Sequence, residues 1–365
     1  MAKALQGDCA VLIVTGHRDA SWLVSDECEF VHIPSLDSLD GLRSQEWDRE
    51  PFWRNSSVKG RQLRGGIIES VVTNFRPDAI IVDYLPMGKN GELYELIEQN
   101  RHARCYLILR GVLDEPQRVQ AAFLNPRARH LLETRYKRIL VTADRRVIDL
   151  VSEYGFAAKI ASKIEYTGYV VDLVSAKARI LARLRRGIPP SAKWVVCSGG
   201  GGMEGEELVE LVIGLTSRFP TTYFDLVLGP RSRSGIDPEL AAQGRRIRVR
   251  KQDAMLPTLH AAADVVICRG GYNSLVESVT GQGRIIVAPF RGQGDQYGHA
   301  ARLSRFYPIS IIDNMNTLEP ELKNALTLDP PGTPAQALNF HGLSNSRRII
   351  MEDLTATEQK RESFS

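Results

Sequence analysis

The sequence predicts two α/β domains, each built on a parallel β-sheet, and three observations support this. Short runs rich in Val, Ile and Leu alternate with helix-length segments through most of the 365 residues. The runs are apolar throughout rather than alternating with polar residues, which is typical of parallel strands buried on both faces. The chain is also too long for one ordinary domain and suits two. We therefore expect two Rossmann-like sheets with right-handed crossovers.

The predicted strands share this apolar character and are separated by segments long enough for a helix. In chain order they are Ala10–Thr15, Phe30–Ile33, Ala79–Asp83, Tyr106–Arg110, Arg138–Thr142, Trp194–Ser198, Tyr223–Leu228, Arg246–Arg250, Val265–Cys268, Arg284–Ala288 and Ser310–Ile312. Strand followed by helix in regular alternation indicates βαβ units and therefore parallel pairing.

The predicted domain boundary lies near residues 169–190. A helix over Asp172–Arg186 has arginines in its last turns and is followed by a glycine and two prolines, a consistent stop signal. A last helix is predicted over Ser344–Leu354, with a frayed polar tail over Thr355–Ser365. The predicted units are an N-terminal domain (1–170), a C-terminal domain (171–340) and a helix with a polar tail (341–365).

Composition excludes several classes of protein. The 47 basic and 43 acidic side chains leave a formal charge of only +4, which does not favour nucleic-acid binding. This charge suits an anionic ligand or at most peripheral contact with an acidic membrane. The cysteines are odd in number, lack zinc-binding spacing and fit a reducing, cytoplasmic setting. No apolar run has the length of a membrane span, and we recognise no signal peptide.

The first informative motif is a strand that runs directly into Gly199, Gly200, Gly201 and Gly202. Consecutive glycines before a helix, here predicted over Glu204–Gly214, let backbone N–H groups face a ligand without an intervening Cβ. The positive end of the helix dipole adds to this, so the motif favours a phosphate site. Its spacing matches neither GxGxxG nor a P-loop. A flexible tight turn is the alternative interpretation.

The second motif is a strand followed by Gly270 and Gly271, with a helix predicted to begin near Asn273 or Ser274. Either of these two side chains could cap that helix. Glu277 lies one turn further on and is expected to face the strand ends, where a carboxylate can accept both hydroxyls of a ribose. The alternative is an ordinary turn with a surface glutamate.

The third motif is the polar segment Ala288–His299, which follows another predicted strand. It includes Asp295 and Gln296. Polar side chains at the carboxyl end of a parallel strand suit the recognition of sugar hydroxyls. A polar surface loop is the alternative.

The order of these motifs, SGGGG, GGYNSLVE and DQYGHA, resembles the donor half of GT-B glycosyltransferases. It is similar to family 28, which includes the N-acetylglucosaminyltransferase of peptidoglycan synthesis, and closest to a bacterial branch of predicted glycosyltransferases. The segments RPDAIIVDYLPMGKNGEL, YLILRGVLDEP and IEYTGYV of the N-terminal half are similar to that branch too. The resemblance covers roughly Met1 to Leu326.

The resemblance implies a hexosyltransferase that moves a sugar from a nucleoside-diphosphate sugar, by default a UDP-sugar, to an acceptor hydroxyl. It implies neither a metal nor any other cofactor, since helix dipoles and basic side chains would stabilise the leaving diphosphate. The acceptor is left open as a small molecule, a lipid-linked group or a glycan. The roles implied are diphosphate contact for Gly199–Gly202, ribose binding for Glu277 beside Gly270 and Gly271, a phosphate-facing helix start for Ser274, sugar contact for Asp295 and Gln296, and charge neutralisation for Arg231.

The start of the chain departs from the family pattern. Those families open with a strand, a Gly-rich loop containing a histidine, and a helix, whereas AKALQGDCAVLIVTG matches the end of that helix and the second strand. We therefore expect the N-terminal domain to lack its first strand, either because the start is assigned too late or because the protein functions without the loop.

The catalytic base is accordingly sought elsewhere. The candidates are Asp83 and His17, with Arg110 and Asp114 also at predicted strand ends. A turn cap is the alternative for Asp83, and a solvated loop residue is the alternative for His17.

Two other functions remain open. A nucleotide-sugar epimerase or hydrolase of the same fold would turn over the donor alone. A non-catalytic protein would bind nucleotide sugars and turn over nothing.

Overall fold

A computed structural model of the chain describes most of its residues. The described residues are 1–16, 28–34, 57–89, 91–200, 205–229, 232, 235–236, 246–290, 294–329, 331 and 337–362. Four candidate site residues therefore lie outside the described residues, namely His17, Gly201, Gly202 and Arg231.

The strands of the N-terminal half form two parallel sheets. In chain order they are β1 (Leu12–Thr15), β2 (Glu29–His32), β3 (Ala79–Asp83), β4 (Arg104–Arg110), β5 (Tyr136–Thr142) and β6 (Ile164–Tyr166). The larger sheet has four strands in the order β3-β4-β5-β6, while β1 and β2 pair with each other. The parallel pairing confirms the α/β prediction, although β6 was not foreseen because it spans three residues.

Helices cover the sheet of the N-terminal half. They are α1 (Ala2–Leu5), α2 (Ser57–Phe75), α3 (Tyr94–Gln99), α4 (Pro116–Phe123), α5 (Pro126–Thr134), α6 (Leu150–Tyr154) and α7 (Ala158–Ala161). Among the helix starts of this half that the structure describes, two have side-chain caps: Asn125 accepts N–H bonds at the start of α5, and Asp149 accepts one at the start of α6. Such caps satisfy donors that a helix start leaves free.

The C-terminal half contains a six-stranded parallel sheet in the order β12-β11-β10-β7-β8-β9. Its strands are β7 (Trp194–Ser198), β8 (Tyr223–Val227), β9 (Ile247–Arg250), β10 (Val265–Cys268), β11 (Arg284–Val287) and β12 (Ile309–Ile311). From β7 the chain builds β8 and β9 on one side, then crosses to build β10, β11 and β12 on the other. The strand order therefore reverses between β7 and β10, and ligands of open α/β sheets bind at such a switch point.

The helices of this half are α8 (Ala176–Arg186), α9 (Glu206–Leu215), α10 (Leu256–Ala262), α11 (Tyr272–Val279), α12 (Gly294–Leu303), α13 (Leu318–Thr327) and α14 (Gly342–Glu362). Helix α8 ends at Gly187 in the left-handed conformation, as the stop signal predicted. The prediction of a frayed tail after Leu354 was wrong, because α14 continues to Glu362 through residues with good helix propensity. Across the described ranges, no helix combines the length and hydropathy needed to cross a bilayer.

Helix α14 returns to the N-terminal sheet. Its contacts form a small buried cluster of Leu5, Tyr106, Leu140, Ile349 and Ile350. Beside that cluster, Arg138 donates two hydrogen bonds of 3.0 and 3.1 Å to the carboxylate of Asp353. The end of the chain is therefore part of the domain that contains its beginning.

The chain crosses between the two halves twice, and the two crossings lie side by side. The backbone N–H of Tyr169 donates to the carbonyl of Asn339 at 2.7 Å, and that of Gly342 donates to Tyr169 at 3.0 Å. Gly168 has a φ of +93°, and a Cβ there would lie 2.4 Å from the Asn339 side chain. The close approach therefore requires glycine at position 168.

The two halves also share one apolar core. A single cluster joins Leu107 and Leu109 of β4 to Leu275 of α11 and to Ala300 and Leu303 of α12. The contact between the halves is thus apolar as well as polar.

Candidate functional site

The three sequence motifs follow strands that end at the same edge of the C-terminal sheet. Ser198 at the end of β7 pairs with Cys268 of β10 on one side and with Val227 of β8 on the other. Cys268 in turn pairs with Val287 of β11. The segments after β7, β10 and β11 therefore emerge next to one another, at the point where the strand order reverses.

Both glycine turns have a backbone conformation that favours glycine. Gly200 has a φ of +82° and Gly270 a φ of +80°. A Cβ at Gly199 would lie 2.6 Å from the carbonyl oxygen of Leu228, whereas one at Gly271 would meet open space. Gly199 is thus fixed by close packing, and Gly271 leaves room in front of the next helix.

Helix α11 begins earlier than predicted, and the capping assignment of Asn273 and Ser274 was wrong. The N-cap residue is Gly271, and both predicted capping residues lie inside the helix. Gly271 has a φ of −56° and a ψ of 145°, and it has no side chain with which to make a capping hydrogen bond. This arrangement leaves the first backbone N–H groups of α11 without a side-chain acceptor from the N-cap, which suits an anionic group.

Glu277 is held by a buried histidine. His260 of α10 donates from Nδ1 to Glu277 Oε2 at 3.0 Å, and its Nε2 lies 3.1 Å from Ser198 Oγ. His260 and Ser198 are 0% and 1% exposed. Because a carboxylate oxygen accepts hydrogen bonds, Nδ1 carries a hydrogen in this contact, and the Ser198 hydroxyl lies within hydrogen-bond distance of Nε2.

This chain of hydrogen bonds links Ser198 at the end of β7, through His260 of α10, to the carboxylate of Glu277 on α11. The Glu277 side chain remains 21% exposed, so one face of it is accessible to a ligand. Because His260 orients the Glu277 carboxylate and solvent reaches its other side, this carboxylate can accept hydrogen bonds from two neighbouring hydroxyl groups. The geometry therefore allows Glu277 the role that the resemblance implied.

The third segment lies against the second. The side-chain oxygen of Gln296 accepts the backbone N–H of Phe290 at 2.9 Å, and a Cβ at Gly270 would lie 3.4 Å from the Gln296 carbonyl. Asp295 is in the first turn of α12. Burial raises the pKa of Asp295, and the nearby charge of Asp114 raises it further while Arg110 lowers it. The pKa of Asp295 therefore depends on charged residues of the N-terminal domain.

A facing wall is formed by residues of the N-terminal domain. The guanidinium of Arg110 lies 5.5 Å from the ring centroid of Tyr84 and 6.0 Å from that of Tyr272. Tyr84 donates to the carbonyl of Leu113 at 2.7 Å. The hydroxyl of Tyr272 contacts Thr142, at 3.1 Å from Oγ1. Groups of both domains thus meet beside the second glycine turn.

Of the two candidate bases, Asp83 lies among the described residues. Asp83 is exposed at the end of β3. Burial lowers the pKa of the Met1 amino group, and the charge of Asp83 raises it. His17 lies outside the described residues. Asp114, by contrast, interacts with Asp295 across the two halves.

His299 of the third motif is a packing residue. Its ring stacks on Tyr272 with centroids 5.3 Å apart, and Nε2 lies 3.3 Å from the Tyr169 hydroxyl. Burial lowers the pKa of His299 to about 3, with Arg302 contributing in the same direction. The ring is therefore neutral at physiological pH.

A cavity of about 580 Å³ lies at the other end of α12, against the loop after β5. It is lined by four arginines, namely Arg145, Arg146, Arg302 and Arg305. Each of them bonds to a carboxylate or a backbone carbonyl. The described residues contain no group of three His, Cys, Asp or Glu side chains that could hold a metal ion.

Comparison with known proteins agrees with this geometry. The family described as "Glycosyltransferase family 28 C-terminal domain" matches residues 196–328, which include all three turns. Several solved glycosyltransferases have the same two-domain fold. The chain has the GT-B fold, and its C-terminal domain resembles glycosyltransferase family 28. No curated protein matches the chain in sequence.

Three solved structures illustrate the GT-B likeness. The glycotransferase of kitacinnamycin aligns over 98% of this chain and 94% of its own, with a TM-score of 0.60 and 14% identity. The calicheamicin glycosyltransferase CalG4 aligns over 89% and 83%, with a TM-score of 0.57 and 12% identity. WaaG, a glycosyltransferase involved in lipopolysaccharide biosynthesis, aligns over 95% and 88%, with a TM-score of 0.51 and 13% identity. At these identities the likeness is one of fold.

Sequence reasoning did not identify His260 or Tyr272 of this GT-B fold. His260 is on a short helix whose remaining residues are apolar or small, where a single histidine gives no sign of its partners. Tyr272 directly follows the second glycine pair, and this position is the one signal that could have indicated its contact with the other domain.

Proposed function

We propose that this chain transfers a sugar from a nucleoside-diphosphate sugar, by default a UDP-sugar, to an acceptor hydroxyl. The observation that carries the proposal is the arrangement around Glu277. A partly exposed carboxylate is fixed by a buried histidine at the strand-order reversal, between two glycine turns. Carboxylate, open backbone N–H groups and glycines together suit a ribose followed by a diphosphate.

In the proposed complex the ribose hydroxyls donate to Glu277. The diphosphate lies against Gly199, Gly200 and Gly271, near the start of α11. Asp295 and Gln296 face the sugar. The acceptor oxygen forms the new bond to the anomeric carbon as the bond from that carbon to the diphosphate breaks, and the acceptor proton passes to a base.

The proposed base comes from the N-terminal domain. Asp83 and His17 remain candidates, and Asp114 joins them because its charge raises the pKa of Asp295 across the domain interface. The proposal includes no metal, since backbone dipoles at helix starts can stabilise the leaving diphosphate. The cysteines of this chain form no disulfide bonds, which suits a cytoplasmic setting.

Calorimetric titration with UDP tests the donor site. We expect binding by the full chain, weakened about tenfold to a hundredfold by Glu277→Gln, because a charged hydrogen-bond acceptor is worth about 1.5–3 kcal/mol. Glu210→Gln, at an exposed position on α9, is the matched control and should bind like the unaltered protein. Equal UDP affinity of all three proteins would remove Glu277 from the site.

Turnover distinguishes the remaining functions. Incubation with UDP-sugars alone should release little UDP, whereas addition of acceptors should accelerate release. Rapid turnover of the donor alone would instead support an epimerase or hydrolase. Asp83→Asn and Asp114→Asn are compared directly to identify the base. The variant of the true base should lose transfer and keep its affinity for UDP.

A further inference from the structure

Helix α8 turns apolar side chains towards solvent and arginine side chains towards the protein, the opposite of the usual arrangement. The usual surface helix turns apolar side chains inward and charged ones outward. In α8 the arginine side chains at 183 and 186 turn inward, and leucine and isoleucine side chains turn outward.

The inner face is held by ion pairs. Arg186 donates to Asp225 at 2.7 Å, and their side chains are 5% and 2% exposed. Arg183 donates to Asp264 at 2.9 Å, and its guanidinium lies 5.8 Å from the ring of Trp194. These pairs fix the rotation of α8 on the sheet, so its outer face is set by the fold.

The outer face is apolar. Ile180 and Leu184 are 60% and 62% exposed, and Leu181 beside them and Leu173 before the helix are also exposed. At about 100° per residue, positions 180 and 184 lie about 40° apart around the helix, and position 177 lies between the directions of positions 184 and 181. Four of the ten exposed large hydrophobic residues of the described structure thus lie within one short segment.

Basic side chains accompany this face. Lys177 and Arg185 are exposed, and the helix AKARILARLRR contains no acidic residue. Asp172 is the exposed acidic residue on the segment that leads into it. An apolar stripe interrupted and flanked by cations matches a surface of negative charge over an apolar interior, which is the chemistry of an anionic lipid bilayer.

We propose that α8 is a peripheral membrane contact, which places Ile180 and Leu184 among the acyl chains and Lys177 and Arg185 at the anionic headgroups. A lipid surface is favoured over a protein because Lys177 lies within the apolar stripe and Arg185 lies at its edge. A long lysine chain can bury its stem in a bilayer and extend its ammonium group to the headgroups. Two copies of this face would oppose like charges, which disfavours self-association. The inference stands independently of the proposed donor site.

Sedimentation of the full chain with lipid vesicles tests the proposal. We expect binding to vesicles containing phosphatidylglycerol, little binding to pure phosphatidylcholine, and a loss of binding at high salt. The double variant Ile180→Ser/Leu184→Ser should bind at least about tenfold more weakly, because two apolar side chains no longer insert. Lys177→Glu/Arg185→Glu should lose at least about tenfold as well.

A matched control replaces the same kinds of exposed side chain, a lysine and a leucine, at another helix. Lys323 is exposed on α13 and Leu328, just after it, is 42% exposed, so Lys323→Glu/Leu328→Ser should bind vesicles like the unaltered chain. Thermal unfolding checks that every variant is folded. Failure of the unaltered chain to bind anionic vesicles, or equal losses in the control and in the α8 variants, overturns the proposal. Self-association that Ile180→Ser/Leu184→Ser abolishes, without vesicle binding, shows instead that a second copy covers this face.

Discussion

Replacement of His260 should weaken nucleotide binding although this residue is too deeply buried to touch a ligand. His260→Ala removes the donor that holds Glu277 and leaves the hydroxyl of Ser198, itself 1% exposed, without its partner. An unsatisfied buried hydroxyl costs about 1–3 kcal/mol, and the void adds to this. We expect a loss of about 3–5 kcal/mol in the free energy of unfolding, and a Kd for UDP raised about tenfold, or about 1.4 kcal/mol.

Two further variants separate positioning from simple destabilisation. Leu259→Ala truncates the adjacent residue of α10, which is 6% exposed, and should cost about 2–5 kcal/mol of stability while leaving the Kd for UDP unchanged. His260→Asn retains a side-chain N–H donor and should restore part of the affinity.

The assay is calorimetric titration with UDP, combined with urea unfolding of each variant. If His260 acts through Glu277, the double variant His260→Ala/Glu277→Gln will lose less affinity than the sum of the single losses, by at least about 1 kcal/mol. Strict additivity, or an equal loss of affinity in Leu259→Ala, would refute the positioning role.

Three other predictions concern the metal, the domains and pH. UDP binding should persist in EDTA, and a strict requirement for magnesium or manganese in the titration would contradict this. A fragment over residues 175–338 should fold and bind UDP, and the N-terminal half should not. A fragment over 190–338 should be less stable by about 1–3 kcal/mol, because buried Asp225 loses the hydrogen bond of Arg186 and keeps only Arg248 and Trp194 beside it. Equal urea midpoints for the two fragments would contradict this. Because His299 has a pKa lowered from 6.5 to about 3, stability should be complete above pH 6.5 and fall by up to about 1.4 kcal/mol per pH unit towards pH 3. His299→Phe should flatten that decline in unfolding experiments, and the exposed control His102→Gln should not.

The strands were predictable because burial on both faces leaves a strong local signal. β7 and β10 were predicted with their observed bounds, since each is an unbroken apolar run between polar segments. β6 is only three residues long and is not continuously apolar, so the sequence contains no apolar pattern that would indicate its pairing with β5. The tail after Leu354 was predicted to fray because its residues are polar, although those same residue types form helices readily.

The site was partly predictable for a similar reason. Glycines at strand ends and the nearby Glu277 are local signals, and they identified one edge of the sheet. The start of α11 was misplaced because Asn and Ser are better caps than Gly on average, while the backbone of Gly271 already has the N-cap conformation. His260 and the outward face of α8 depend on which way a helix is rotated, which long-range packing decides.

The return of α14 to the first sheet has a topological consequence. The chain starts and ends in one domain, where Leu5 of α1 packs with Ile349 and Ile350 of α14. The whole six-stranded domain is therefore inserted into the other one, connected through the paired crossings at Tyr169 and Gly342. The N-terminal domain needs both ends of the chain to complete its core, whereas the C-terminal domain is continuous in sequence. Joining the ends and opening the chain at the crossing near Tyr169 would make both domains continuous without separating any strand from its sheet.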